Sequence, residues 1–182
     1  MPSETAPAPW VAPIPNILTG FRILLAAALP FLPPSYWLTV VIAAGLSDAL
    51  DGIIARRFNA ASALGALLDG VADKLFVLSA VVTLVGAGQL AWWQGLLVMA
   101  RDFTVAAMAA YSALRGEWPA FLRMHVRIFG KLTTAVVFPW LVILLVDWGE
   151  PLRTPLFWLA GAMSLLAALD YLGQFVRVHR AK

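Results

Sequence analysis

Hydrophobic positions gather into six long runs along the chain, at about residues 16–32, 35–55, 63–87, 91–114, 128–147 and 154–176. A helix needs about 20 apolar residues to cross the hydrocarbon core of a bilayer, so the pattern predicts six transmembrane helices. Helix-breaking residues punctuate it: Pro30, Pro33 and Pro34 after the first run, Gly86 and Gly88 after the third, Gly149 and Pro151 after the fifth. Ahead of the first run, residues 1–15 carry Pro2, Pro7, Pro9, Pro13 and Pro15. That spacing opposes a helix and predicts an irregular interfacial tail with Trp10 as its anchor. Residues 16–182 read as one six-helix membrane domain with no internal repeat. The expected fold is all-α and polytopic.

Composition supports this reading. The chain has 182 residues, 62% hydrophobic and 13% charged, with a mean hydropathy of +0.84, which excludes an ordinary soluble domain. The formal charge is +3, yet the basic residues fall at the ends of apolar runs and form no stripe, so nucleic acid is excluded as a partner. The absence of cysteine removes a disulfide framework, a thiolate metal site and a cysteine nucleophile. Ala26-Ala27-Ala28 resembles a signal cleavage site, but Arg22 interrupts the apolar segment before it, so no cleaved leader is expected. Arg56, Arg57, Arg115, Arg123, Arg127, Arg177, Arg180 and Lys182 lie in one set of loops and the C-terminal tail, with Arg153 alone in the other set. The positive-inside rule then puts both termini in the cytoplasm. A bacterial inner membrane is the expected location.

Against this background the segment from Asp48 to Asp73 is anomalous. It reads Asp48-x2-Asp51-Gly52-x2-Ala55-Arg56, then Gly65-x3-Asp69-x3-Asp73. An Asp at the centre of a spanning helix costs about 2.5–3.5 kcal/mol, so four would cost roughly 10 kcal/mol uncompensated. A short connection makes the second and third spans an antiparallel hairpin, whose facing ends meet. Asp48 and Asp51 share one helical face, as do Asp69 and Asp73, so the hairpin predicts a polar site within the membrane, opening to the cytoplasm. Oxygen-only ligation points to two hard cations, Mg2+ or Mn2+, and such a pair suits phosphoryl transfer. Gly52, Ala55 and Gly65 keep the cleft open, and Arg56 can fork onto a phosphate. The plainer alternative is close helix packing with interhelical hydrogen bonds. It needs matching cations in the adjoining spans, and Lys74 is one neighbour pointing about 100° away from Asp73.

The string D-x2-D-G-x2-A-R-x8-G-x3-D-x3-D resembles, at every fixed position, the signature of the CDP-alcohol phosphatidyltransferases. The resemblance implies that the aspartates hold two divalent ions engaging the diphosphate of a CDP-linked lipid. It casts Asp48, Asp51 and Asp69 as ligands and Asp73 as both ligand and base, with Gly52, Ala55, Arg56 and Gly65 shaping the nucleotide site. It also implies a homodimer. Ile14-Pro15-Asn16-Ile17-Leu18-Thr19-Gly20-Phe21-Arg22 resembles the opening of two branches, the phosphatidylglycerophosphate synthases and the cardiolipin synthases. Both take CDP-diacylglycerol and release CMP, one using glycerol 3-phosphate and the other phosphatidylglycerol.

Arg101-Asp102 and the single lysine of Gly130-Lys131-Leu132-Thr133-Thr134 resemble the cardiolipin branch more, and a phosphodiester needs fewer cations than a phosphate monoester. The reading therefore leans to a lipid acceptor, with glycerol 3-phosphate as the alternative. Arg101, Arg127 and Lys131 are the acceptor-phosphate candidates. Asn16, Thr19 and Arg22 share a face of the first helix and join them, although helix capping and an interfacial snorkel explain the same residues. Arg101 pairing with an aspartate is the plain alternative there. His125 and His179 read as solvated, Asp170 as a helix or dimer contact, and Trp92 and Trp93 as interfacial belt. A divalent-cation transporter also accounts for intramembrane carboxylates, but not for Gly52, Ala55, Arg56 and Gly65 at their spacing.

Overall fold

The computed structural model describes residues 14–57, 63–116, 128–146 and 149–180, and these are helical apart from short turns. The helices are α1 (Ile14–Ala28), α2 (Pro34–Arg57), α3 (Ala63–Gly86), α4 (Trp92–Val98), α5 (Ala100–Leu114), α6 (Ile128–Val146) and α7 (Glu150–Arg180), with a 3-10 turn at Leu29–Phe31. The all-α class expected from the apolar runs is the observed one.

Each predicted run corresponds to helix, with three differences. Helix α1 starts at Ile14 rather than after Pro15. A proline in a first turn loses nothing, because the N–H it lacks would have no intrahelical partner there. The run at 91–114 is broken into α4 and α5, which meet at a 63° bend, with Met99 at φ −89° and ψ 3° between them. Helix α7 begins at Glu150 and takes in both Pro151 and Pro155. Gly88 and Gly149, at φ 72° and 84°, occupy the left-handed conformation that lets the chain turn after α3 and before α7.

Length and apolarity single out fewer spans than six. Among the described residues, Pro151–Val178 alone qualifies as one continuous helix, with a mean hydropathy of 1.5, and α4 with α5 qualifies only as a bent pair. Helices α2 and α3 have 24 residues each, about 36 Å, but they carry the aspartates. The apolar stretches Asn16–Phe31 and Leu132–Val146 are shorter.

The chain forms two compact units, Met1–Gln89 and Leu90–Lys182. In the first, α1 packs against both α2 and α3, and no comparable contact joins α2 to α3 among the described residues. Helices α2 and α3 still meet through side chains, as the hairpin reading expected, with one carboxylate oxygen of Asp48 within 4.8 Å of those of Asp69 and Asp73. Ser79 Oγ donates to the carbonyl of Ala26 across the α1–α3 contact, and Leu29, Val41, Ala44, Ala72 and Ala80 are each at most 1% exposed. The small residues allow the close backbone approach typical of helices packed in lipid.

In the second unit α7 is the hub, contacting α4, α5 and α6. Its Gly161 faces Leu97 of α4, where a Cβ would lie 2.8 Å from Leu97 Cδ2 and 2.9 Å from Cγ. Phe157 contacts the rings of Trp93, Trp140 and Trp158 at centroid distances of 5.6, 6.0 and 5.0 Å, so Trp93 joins an aromatic cluster, although both it and Trp92 are exposed.

Candidate metal and substrate site

Two helices of the first unit bring three of the signature aspartates together. Asp48 comes from α2, one helical turn beyond Ala44 in the buried seam, and Asp69 and Asp73 come from successive turns of α3. One carboxylate oxygen of each lies within 4.8 Å of those of the other two. The side chains of Asp51, Gly52, Ala55 and Arg56 lie outside the described residues, although their backbone is part of α2. Gly65 is half-buried in the first turn of α3.

The cluster contains a cation from a third helix. Arg22 of α1 is 1% exposed, and its Nη1 donates to Asp73 Oδ1 at 2.6 Å and to Asp69 Oδ1 at 2.8 Å. Asp48 Oδ1 is 3.3 Å from the same nitrogen. The sequence reading offered Arg22 as an acceptor ligand or an interfacial snorkel, and burial against three carboxylates excludes the snorkel. A charge in the middle of an apolar helix needs an opposite charge from elsewhere, and α1 has no acidic residue of its own. That was the available signal. What sequence lacked was the partner, which lies 47 and 51 residues away.

The arginine closes one side of the cluster while the carboxylates keep the other side open. Side-chain exposure is 2% for Arg22 against 47%, 38% and 33% for Asp48, Asp69 and Asp73. Among the described contacts, three carboxylates share the one guanidinium. Three oxygen donors of this kind suit a hard divalent cation, and Asp48, Asp69 and Asp73 are the residues that would hold it. Thr19, one turn before Arg22, is buried, and Asn16 a turn earlier is exposed, so the three expected to share a face differ in surroundings.

The other acceptor candidates belong to the second unit. Arg101 is 7% exposed and folds back on its neighbour, with Nε and Nη2 donating to Asp102 Oδ1 at 3.1 and 2.7 Å. Its Nη1 donates to Thr134 Oγ1 at 3.2 Å, and its backbone N–H to Ser164 Oγ at 3.0 Å. The pairing weighed as the plain alternative is thus present. Arg127 lies outside the described residues, and Lys131 is part of α6 with its side chain outside them. Asp170 accepts from Gln174 Nε2 of its own helix at 3.0 Å. A cavity of about 150 Å3 in this unit, lined by Trp93, Trp140, Arg153, Phe157 and Trp158 among others, has no acidic side chain.

Comparison with known proteins agrees with the signature. The model of the CDP-alcohol phosphatidyltransferase family matches residues 12–166. A CDP-diacylglycerol–glycerol-3-phosphate 3-phosphatidyltransferase of Salmonella choleraesuis is 34% identical over 175 residues, covering 87% of this chain and 92% of the relative. The protein of the same name from Escherichia coli K12 is 33% identical over 172 residues with the same coverage. These names favour glycerol 3-phosphate over the phosphatidylglycerol acceptor to which the sequence reading leaned. The physical weakness of that lean is now visible: Arg101 and Asp102 pair with each other, so an Asp rather than a Glu beside the arginine reports on that ion pair as much as on a substrate.

Proposed function

Because the chain belongs to the CDP-alcohol phosphatidyltransferase family, we propose that it transfers the phosphatidyl group of CDP-diacylglycerol to glycerol 3-phosphate, releasing CMP. The convergence of Asp48, Asp69 and Asp73 at signature positions carries the reaction, and the names of the relatives carry the acceptor. In this reading the acceptor hydroxyl oxygen bonds to the lipid phosphorus as the bond from that phosphorus to the CMP oxygen breaks. The hydroxyl proton passes to a carboxylate oxygen of Asp73, which the open side of the cluster leaves within reach of a bound alcohol. Asp48, Asp69 and Asp51 act as ligands. A bound pair of Mg2+ or Mn2+ ions would neutralise charge on the diphosphate and on the departing CMP. Arg56, with Gly52, Ala55 and Gly65, takes the nucleotide end, and Arg101, Arg127 and Lys131 are the acceptor-phosphate candidates. The six helical stretches serve as six spans in a bacterial inner membrane, with the aspartates facing the cytoplasm and the protein a homodimer.

The test is an acceptor panel on detergent-purified protein with CDP-diacylglycerol and Mn2+, read by product mass. Glycerol 3-phosphate is expected to yield phosphatidylglycerophosphate and CMP, with turnover lost in EDTA and restored by Mn2+. Turnover with phosphatidylglycerol instead would return the protein to the cardiolipin branch. Mn2+ uptake into liposomes with no CMP release from any acceptor would favour the transporter.

A further inference from the structure

Arg22 occupies the position among the carboxylates that a divalent ion would claim. Its Nη1 is 2.6, 2.8 and 3.3 Å from the Oδ1 atoms of Asp73, Asp69 and Asp48. A nitrogen with two hydrogens satisfies two of these oxygens directly and the third by charge alone. Without it, three carboxylates with oxygens within 4.8 Å of one another would repel, as like charges sharing a site do. A Mg2+ ion takes its oxygens at about 2.0–2.1 Å, closer than the guanidinium nitrogen does. The same oxygens cannot serve both cations at full strength, and two cations so close repel each other.

We infer that Arg22 is a built-in placeholder cation, which holds Asp48, Asp69 and Asp73 together before a divalent ion arrives and is displaced from them when it binds. The inference rests on the metal-site reading under Proposed function. With the arginine in place the carboxylates are still a third to a half exposed, so a dication can reach them, and the placeholder lowers affinity without abolishing binding. Because α1 packs against both α2 and α3, the guanidinium also ties carboxylates from two helices into one geometry. The metal then meets an assembled set of ligands and has only to exchange for one nitrogen.

The test uses the full chain in detergent, with Mn2+ affinity read by electron paramagnetic resonance and unfolding midpoints measured in EDTA and in Mn2+. If the arginine-withdrawn state is about one-tenth populated, its removal tightens the apparent affinity about tenfold. Arg22→Gln is therefore expected to bind the first Mn2+ about tenfold more tightly, to unfold at lower temperature in EDTA, and to gain more from Mn2+ than wild type. Arg22→Lys, with a single ammonium, should fall between the two, and it decides the matter if Arg22→Gln fails to fold. Affinity unchanged or weaker in the folded variant, while wild type binds Mn2+, overturns the placeholder and leaves the metal site standing. Absence of Mn2+ binding in wild type overturns the metal site itself, and the placeholder with it.

Discussion

Each unit of the chain buries an arginine, and the two are satisfied in opposite ways. Arg101 has one carboxylate, that of its neighbour Asp102, together with a threonine hydroxyl. The pair is neutral, largely enclosed at 9% and 13% side-chain exposure, and chemically closed. Arg22 contacts three carboxylates, each between a third and a half exposed. A buried ion pair in balance is explained by its own partners. An arginine shared among exposed carboxylates leaves oxygens open to a further cation, which is why the metal reading falls on the partners of Arg22 rather than on Asp102.

Three substitutions sharpen that contrast. The largest effect belongs to Asp73→Asn, which should lower CMP release about 10²- to 10⁴-fold, the usual worth of a positioned base, while the unfolding midpoint in EDTA stays near that of wild type. The surplus of carboxylates around Arg22 is the reason: losing one charge leaves two. CMP release within a few-fold of wild type would remove Asp73 from the chemistry. In the second unit the expectation reverses, because Asp102→Ala strands a buried guanidinium. Breaking such a pair typically costs about 3 kcal/mol, visible as a lower unfolding midpoint, and the double change Arg101→Leu with Asp102→Leu should recover most of it. If the double variant regains stability yet shows a raised KM for glycerol 3-phosphate, Arg101 has the acceptor role proposed for it; an unchanged KM removes it from the acceptor candidates. The smallest effect should come from Gly161→Ala, which pushes a methyl group against Leu97. Overpacking of this kind costs about 1–3 kcal/mol, in stability alone, and any change in Mn2+ affinity would show that its effect reaches beyond stability.

Much of the secondary structure was legible because it is written locally. Apolar runs between proline and glycine punctuation mark helices wherever they fall, and each of the six became helix. The break between α4 and α5 was not legible: Met99 and its neighbours carry no proline or other breaker signal, and the bend is resolved by Met99 N–H donating to Gly95 while α5 restarts on the Met99 carbonyl. Residues of the α2–α3 signature were legible as a site because their types and spacing are chemical. The hairpin expected from their short connection does bring Asp48 to Asp69 and Asp73, but connection length says nothing of a third helix, α1, packing against both arms. The Arg101–Asp102 pair illustrates a related limit. Adjacent residues point about 100° apart on a helix, and the long arginine side chain bridges that angle while its Nη1 donates to Thr134 of α6.

From its residues alone this protein has its class, its signature aspartates and its likeness to enzymes of CDP-linked lipids, since hydropathy, period and motif spacing are properties of contiguous chain. The tertiary structure decided how those aspartates are held. Arg22 meets Asp69 and Asp73 across 47 and 51 residues, on a helix with no acidic partner of its own, and no local pattern encodes a contact at that separation. Packing of α1 against both α2 and α3 brings a single guanidinium within reach of carboxylates from two helices, and that juxtaposition placed a residue read as an acceptor candidate or an interfacial snorkel among three of the signature aspartates.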